Sequence, residues 1–187
     1  MTVYRNKMIN IQPILENEKV ILQPLAEDDF DSLYEAASNP EIWEQHPNKD
    51  RWKKEVFRTF FEGAMLSKGA FKITDKQTGQ IIGSTRYYDY NDDDSSIFIG
   101  YTFYTTATWG TGTNKSVKKI MLDYILQFVN KVYFHIGANN IRSQIAISRI
   151  GAVKVGEQEV IYFGEIKQLN FVYEITAEHW KDITNNN

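Results

Sequence analysis

The chain contains no cysteine. Disulfides, thiolate nucleophiles and cysteine-ligated zinc are thereby excluded, and covalent catalysis through sulfur with them. Histidine is scarce as well: His46, His135 and His179 stand far apart, with neither the i, i+4 spacing nor the neighbouring carboxylates of a metal site, so no metal is expected. Nowhere does the chain approach the ~18 apolar residues of a membrane helix. The opening stretch MTVYRNKMINIQPIL also lacks an unbroken apolar run of signal-peptide length. The expectation is a soluble, cytoplasmic protein without a membrane partner. Charge of either sign is not in excess: 21 Lys and Arg against 24 Asp and Glu leave a net charge of -3. That balance lacks the basic footprint a nucleic-acid backbone demands, so no nucleic-acid partner is expected.

What is present suits one globular domain over residues 1–187, with a core at about residues 19–175: 42% of residues are hydrophobic and 14% aromatic. Residues 19–25 alternate as a first strand. Glu27, Asp28 and Asp29 then load negative charge onto the start of a helix that carries Phe30, Leu33, Tyr34 and Ala37 inward. Asn39-Pro40 breaks it, and residues 51–67 show Trp52, Val56, Phe60 and Ala64 at helical spacing. Two strands at 70–74 and 80–90 form a hairpin across Lys76-Gln77-Thr78-Gly79, and a fourth strand runs over 97–104. A loop at 105–112, a helix at 113–127 and a short strand at 132–136 make a βαβ unit. Asn140 caps a helix over 141–150 that Gly151 ends, and strands at 152–162 and 166–175 close the chain as a hairpin across Phe163-Gly164-Glu165. The fold class is α+β: a mixed, mostly antiparallel sheet of six to seven strands flanked by about four helices.

The segment Trp109-Gly110-Thr111-Gly112-Thr113-Asn114 leads from a strand into a helix. Its glycines let backbone amides approach a ligand, and a helix N-terminus favours negative charge by about 0.3 to 1 kcal/mol, with Lys115, Lys118 and Lys119 nearby. No Gly-Lys-Ser/Thr follows, so this is not a Walker loop, and Lys115 stands where a dinucleotide fingerprint has its third glycine. Shaping a tight turn is the other reading of Gly110 and Gly112.

About thirty residues on comes Asn140-Ile-Arg142-Ser143, followed by Arg149-Ile-Gly151-Ala152. With this second motif the chain resembles the GCN5-related N-acetyltransferase (GNAT) superfamily, in particular its ribosomal-protein N-terminal acetyltransferase-like (RimJ/RimL-like) branch. The first motif corresponds to the family's Gln/Arg-x-x-Gly-x-Gly/Ala loop, departing from it at Trp109 and Asn114. The resemblance spans nearly the whole chain and implies a GNAT fold with acetyl-CoA as acyl donor and an amine, a protein N-terminus or a small molecule, as acceptor. It further implies that Phe103 and Tyr104 pair their backbone with the pantetheine arm, and that Trp109, Gly110, Thr111, Gly112, Thr113 and Asn114 hold the diphosphate. Asn140 and Ser143 would touch the arm near the thioester; a plain helix N-cap is the alternative for Asn140.

In that superfamily the amine attacks the thioester directly, which needs a base, an oxyanion donor and an acid but no enzyme nucleophile. His135 is the first candidate base, standing where some relatives carry a glutamate; a part-buried strand histidine is its other reading. The tyrosine that relatives use as acid is replaced by Ile147, leaving Ser143, a water or another tyrosine. Tyr87, Tyr88, Tyr90 and Tyr101, with Trp43, Glu44 and His46, are candidates for the acceptor pocket, whose groove would run from residues 43–51 to the final hairpin. Two other readings stay open: an acyl-CoA-binding module without turnover, and a structural domain whose aromatic residues serve a homodimer interface.

Overall fold

The computed structural model describes residues 9–185. The leader ahead of residue 9, on which the signal-peptide reading was partly made, lies outside the described residues. β1 (Leu15–Glu16), β2 (Val20–Pro24), α1 (Phe30–Ala37), α2 (Lys54–Ser67), β3 (Ala70–Asp75), β4 (Ile81–Asn91) and β5 (Ser96–Tyr104) form the first part of the chain. α3 (Thr113–Ile125), β6 (Lys131–Gly137), α4 (Ile141–Ser148), β7 (Val153–Ile161), β8 (Lys167–Thr176) and α5 (Ala177–Asn185) complete it. The strands make one eight-stranded sheet in the order β1-β2-β3-β4-β5-β6-β8-β7. Every neighbouring pair is antiparallel except β5 and β6, which the α3 crossover joins in parallel. The α+β class is as expected; β1 and α5 are elements the periodicity does not reveal.

Alternation along the strands divides the buried residues between two faces. On one face Tyr87, Ile97, Ile99, Val132 and Phe134 meet Val117, Met121 and Leu122 of α3, Ile147 of α4 and Trp180 of α5. On the other, Leu33 of α1, Trp43, and Phe57, Phe60 and Phe61 of α2 pack with Phe103. α2 begins at Lys54 rather than at residue 51, and Trp52 lies exposed outside it. Its inward stripe is therefore Phe57, Phe60, Phe61 and Ala64, which keeps Phe60 and Ala64 of the expected face and replaces Val56 by Phe57, whose ring meets Trp43, Phe30 and Phe103 in tilted and edge-on contacts. Pro40 starts a short 3-10 turn that Asn39 caps, which buries Trp43 with its indole N–H donating to the Ala37 carbonyl at 2.8 Å.

Candidate active site

The site follows from a fault in β5. The strand's register against β4 slips between Ser84 and Arg86, and Tyr101 takes a φ of 51°, marking a bulge. Bulges increase local twist and re-aim side chains. Although β5 has nine residues and β6 seven, they pair only from Ser96 to Phe98 against Lys131 to Tyr133. Past Phe98 the two strands part, and among the described residues the edge of β5 facing β6 has no strand partner. Between them opens a cavity of about 800 Å³, within the range of small-molecule sites.

One end of the cavity is the loop ahead of α3. Gly110 and Gly112 adopt φ of 75° and 83°, conformations that favour glycine, and a Cβ built at either would meet nothing within 4 Å, so the loop's outer surface is open. No side chain caps α3 at Gly112, and the amides of Asn114 and Lys115 have no acceptor among the described residues, leaving donors for an anion. Trp109, Gly110, Gly112, Thr113 and Asn114 line the cavity, as do Phe103 and Tyr104, whose hydroxyl donates to Asn114 Oδ1 at 3.1 Å. Thr111 does not: its hydroxyl turns back to the Thr108 carbonyl at 2.7 Å and to Thr113 Oγ1. Across the opening, the Arg142 guanidinium lies 4.1 Å from the centroid of the Trp109 ring, a cation–π contact that fastens α4 to the loop. Arg142, Arg149 and Lys115 also line the cavity.

At the middle, Asn140 is the α4 N-cap, its side-chain oxygen accepting from the Ser143 amide at 3.1 Å. Both residues line the cavity beside Phe134 and Ile136. Lys118 of α3 enters the same space, its Nζ donating to Thr102 Oγ1 at 2.7 Å and Thr85 Oγ1 at 3.1 Å. With no carboxylate beside it, burial lowers its pKa to about 7.

The far end holds His135, Tyr88, Tyr101, Tyr162, His46 and Arg51. His135 points to the sheet face opposite α3, stacked on Phe98 with centroids 4.3 Å apart. Its Nδ1 is 3.3 Å from the Tyr88 hydroxyl and its Nε2 3.3 Å from Gln158 Oε1. Burial, partly offset by Gln158 and Asp89, holds its pKa below the usual histidine value, so the ring is neutral at neutral pH. His46 is driven down to about 3 by burial and by Arg51 and Arg142. Arg51 is paired with Glu165 on the tip of the β7–β8 hairpin, Nε to Oε1 at 2.8 Å, which ties that hairpin to the segment before α2.

Four expected acceptor-pocket residues lie elsewhere. Tyr87 is buried on the α3 face, donating to the Met121 carbonyl at 2.7 Å, because strand alternation sends it opposite to Tyr88. Tyr90 is exposed and bonded to Asp92, Trp43 belongs to the core, and Glu44 faces outward. Residues the sequence reading passed over are Lys118 as a buried group, Gln158, and the Arg51–Glu165 pair. Among the described residues no group of three or more His, Asp or Glu is placed to hold a metal, and no helix is long and apolar enough to cross a membrane.

The Acetyltransferase (GNAT) domain model matches residues 19–153. Among solved structures, the chain is similar to a GCN5-related N-acetyltransferase from Brucella melitensis, with a TM-score of 0.81 at 16% identity over 93% of this chain and 83% of that one. It is also similar to spermidine N-acetyltransferase from Vibrio cholerae in complex with CoA and spermine, with a TM-score of 0.67 at 16% identity over 88% and 99%. A third likeness is Mycobacterium smegmatis RimJ in complex with CoA-disulfide, with a TM-score of 0.66 at 16% identity over 89% and 87%. The split sheet, the open amide loop and the match over most of the chain agree: this protein belongs to the GNAT acetyltransferase family.

Proposed function

We propose that this chain transfers an acetyl group from acetyl-CoA directly to a primary amine, in a ternary complex of enzyme, donor and acceptor. The observation that carries this reading is the continuous cavity through the gap between β5 and β6, with unbonded backbone donors at one end and a neutral histidine at the other. The CoA held by the Vibrio cholerae and Mycobacterium smegmatis neighbours supports the donor.

In this reading the amides of Asn114 and Lys115 and the loop glycines take the diphosphate, with Lys115, Arg142 and Arg149 as counter-charges. The unpaired edge of β5 at Phe103 and Tyr104 accepts the amide-rich arm as an added strand would. Asn140 and Ser143 contact the arm near the thioester, and the thioester supplies the acyl group. The acceptor, a protein N-terminus or a small-molecule amine, enters from the face carrying Tyr88 and His135. It must be neutral to attack. The Tyr88 hydroxyl takes its proton while passing its own to Nδ1 of His135.

The test is thermal unfolding with and without acetyl-CoA, followed by a screen of amines for CoA release. Ligand at about 100 times its dissociation constant adds about 2.7 kcal/mol, a rise of about 5 to 10 °C for a chain of this size. A rise without turnover of any amine favours an acyl-CoA-binding module; no rise at saturation removes the reading.

A further inference from the structure

Lys118 has a peculiar place. It lies on α3 with only 2% of its surface exposed, yet it lines the cavity, and its ammonium meets two threonine hydroxyls and no carboxylate. A buried cation without an opposite charge is costly, so such a lysine needs a reason. The titratable groups packed around it do not supply one. On β4 and β5, Tyr87 donates to the Met121 carbonyl and Tyr104 to Asn114. On α3, Lys119 is paired with Asp123, and Lys115 opens to the loop end. α4 brings Arg142 and Arg149, which would only repel it.

Its position relative to His135 is the informative point. Thr102, which holds the ammonium, is two residues from Gly100, and a Cβ built at Gly100 would meet the Tyr88 hydroxyl at 3.1 Å. Two residues of strand span about 7 Å. The Tyr88–His135 pair and the Lys118 ammonium therefore flank the β5 bulge from opposite faces of the sheet, where the sheet is split and the cavity passes through.

We infer that Lys118 is the proton donor to the departing sulfur, reached from the α3 face while the amine is deprotonated from the other. This rests on the acetyl-transfer reading above. The acceptor nitrogen bonds to the acetyl carbonyl carbon and the carbon–sulfur bond breaks, its electron pair going to sulfur. Lys118 gives that sulfur a proton, forming the thiol and a neutral lysine. The acceptor ammonium loses two protons, one before attack and one as the amide forms; each passes in turn through Tyr88 to His135 and on to solvent, Lys118 regains one from solvent, and one proton is released overall, so atoms and charge balance. Ser143, one of the acids left open once Ile147 stands in place of the family's tyrosine, has a hydroxyl far too weakly acidic to do this at neutral pH without a second group. The acidity that burial gives Lys118 suits both giving and regaining a proton near neutrality.

The test uses CoA itself bound to the full-length protein, titrating its thiol by thiolate ultraviolet absorption while calorimetry follows CoA binding. In the wild type the thiol and Lys118 titrate as a coupled pair, so thiolate should appear at lower pH than in Lys118→Met, since an ammonium within about 4 to 6 Å stabilises thiolate and the thiolate in turn holds the lysine charged. Lys118→Arg, with a fixed charge and no proton to give, should keep the lowered thiol pKa and lose about 10²-fold or more in turnover. Equal thiol titration in wild type and Lys118→Met, with CoA bound to both, overturns the inference and leaves acetyl transfer standing, as does full turnover by Lys118→Arg. If Lys118→Met does not fold, bound wild-type thiol is compared with free CoA: a lowered value supports the donor and an unlowered one overturns it. Failure of the wild type to bind CoA overturns the acetyl-transfer reading, and this inference with it.

Discussion

The Tyr88 hydroxyl stands 3.3 Å from Nδ1 of His135, while Gln158 Oε1 stands 3.3 Å from Nε2 on the ring's other side. A carboxamide oxygen only accepts, so Nε2 carries the proton in the neutral ring and Nδ1 presents its lone pair to the tyrosine. The histidine is thereby oriented toward the cavity, as a base acting through Tyr88 must be.

His135→Ala is expected to lower turnover about 10²-fold with little change in acetyl-CoA affinity, and Tyr88→Phe should lower it in the same direction. Burial, the largest influence on it, lowers the His135 pKa below the ordinary histidine value. The acid limb of the turnover profile should therefore lie below the ordinary histidine value of about 6.5 and vanish in His135→Ala. An unchanged profile in that variant removes His135 as the base.

Gly112→Val should abolish the acetyl-CoA-dependent rise in melting temperature, since it strains a φ of 83° and places a branched side chain in the open space proposed for the diphosphate. Gly79, with a φ of 71° in the β3–β4 turn and no part in the cavity, is the control for strain alone. Gly79→Val should lower the baseline stability and keep the rise. Loss of the rise in both would show that backbone strain, not the cradle, is being measured.

Most of the fold is legible in the sequence because apolar periodicity and turn residues are local signals. β5, α3, β6 and α4 fall within a few residues of their expected bounds, and Asn140 caps α4 as expected. What escapes is decided at long range. Lys118 reads in the sequence as one of three lysines beside the anion loop; only packing against β4 and β5 buries it. The bulge falls at Tyr101 with only the neighbouring Gly100 to announce it, and a lone strand glycine does not say where the register slips. Arg51 and Glu165 lie 114 residues apart and meet only once the last hairpin folds over. α5 is short and polar, and its one buried anchor, Trp180, is held by Asp123 of α3 at 2.9 Å.

The Arg51–Glu165 pair is buried, with side-chain exposures of 4% and 9%, and Glu165 Oε2 has no hydrogen-bond partner among the described residues. Removing one partner of such a pair leaves an uncompensated charge, at a cost of about 3 to 5 kcal/mol. Glu165→Gln should therefore destabilise the protein in denaturant unfolding, and Arg51→Met combined with Glu165→Gln should destabilise it less than the single substitution does. An additive double variant would mean that the pair does not act as a unit.

His46 gives the fold its own acid sensitivity. Burial first, then Arg51 and Arg142, hold its pKa near 3, whereas the unfolded chain protonates it from 6.5 downward. The unfolded state thus binds more protons in that interval, so the stability due to neutral His46 is complete above 6.5 and is lost as pH falls toward about 3. The loss should approach about 1.4 kcal/mol per pH unit. The stability difference between wild type and His46→Gln should shrink by that slope between about pH 6 and pH 4. A difference independent of pH would mean that His46 is protonated in the folded protein.

Lys118 carries the opposite consequence for stability at neutral pH. Its folded pKa of about 7 lies below the ordinary 10.5. The fold therefore opposes the ammonium: the penalty is full below about 7 and disappears only as pH rises past 10.5. Lys118→Met removes that penalty and leaves no orphaned hydroxyl, because Thr85 Oγ1 and Thr102 Oγ1 are already 2.8 Å apart and bond each other. The variant should melt several degrees above wild type near pH 6, with the advantage narrowing toward pH 10, even as turnover falls. A cation kept at the expense of stability and needed for rate is what a proton donor to a leaving group requires. Should Lys118→Met instead melt lower at every pH, the lysine is a strut between β4 and β5, and its place in the cavity is incidental.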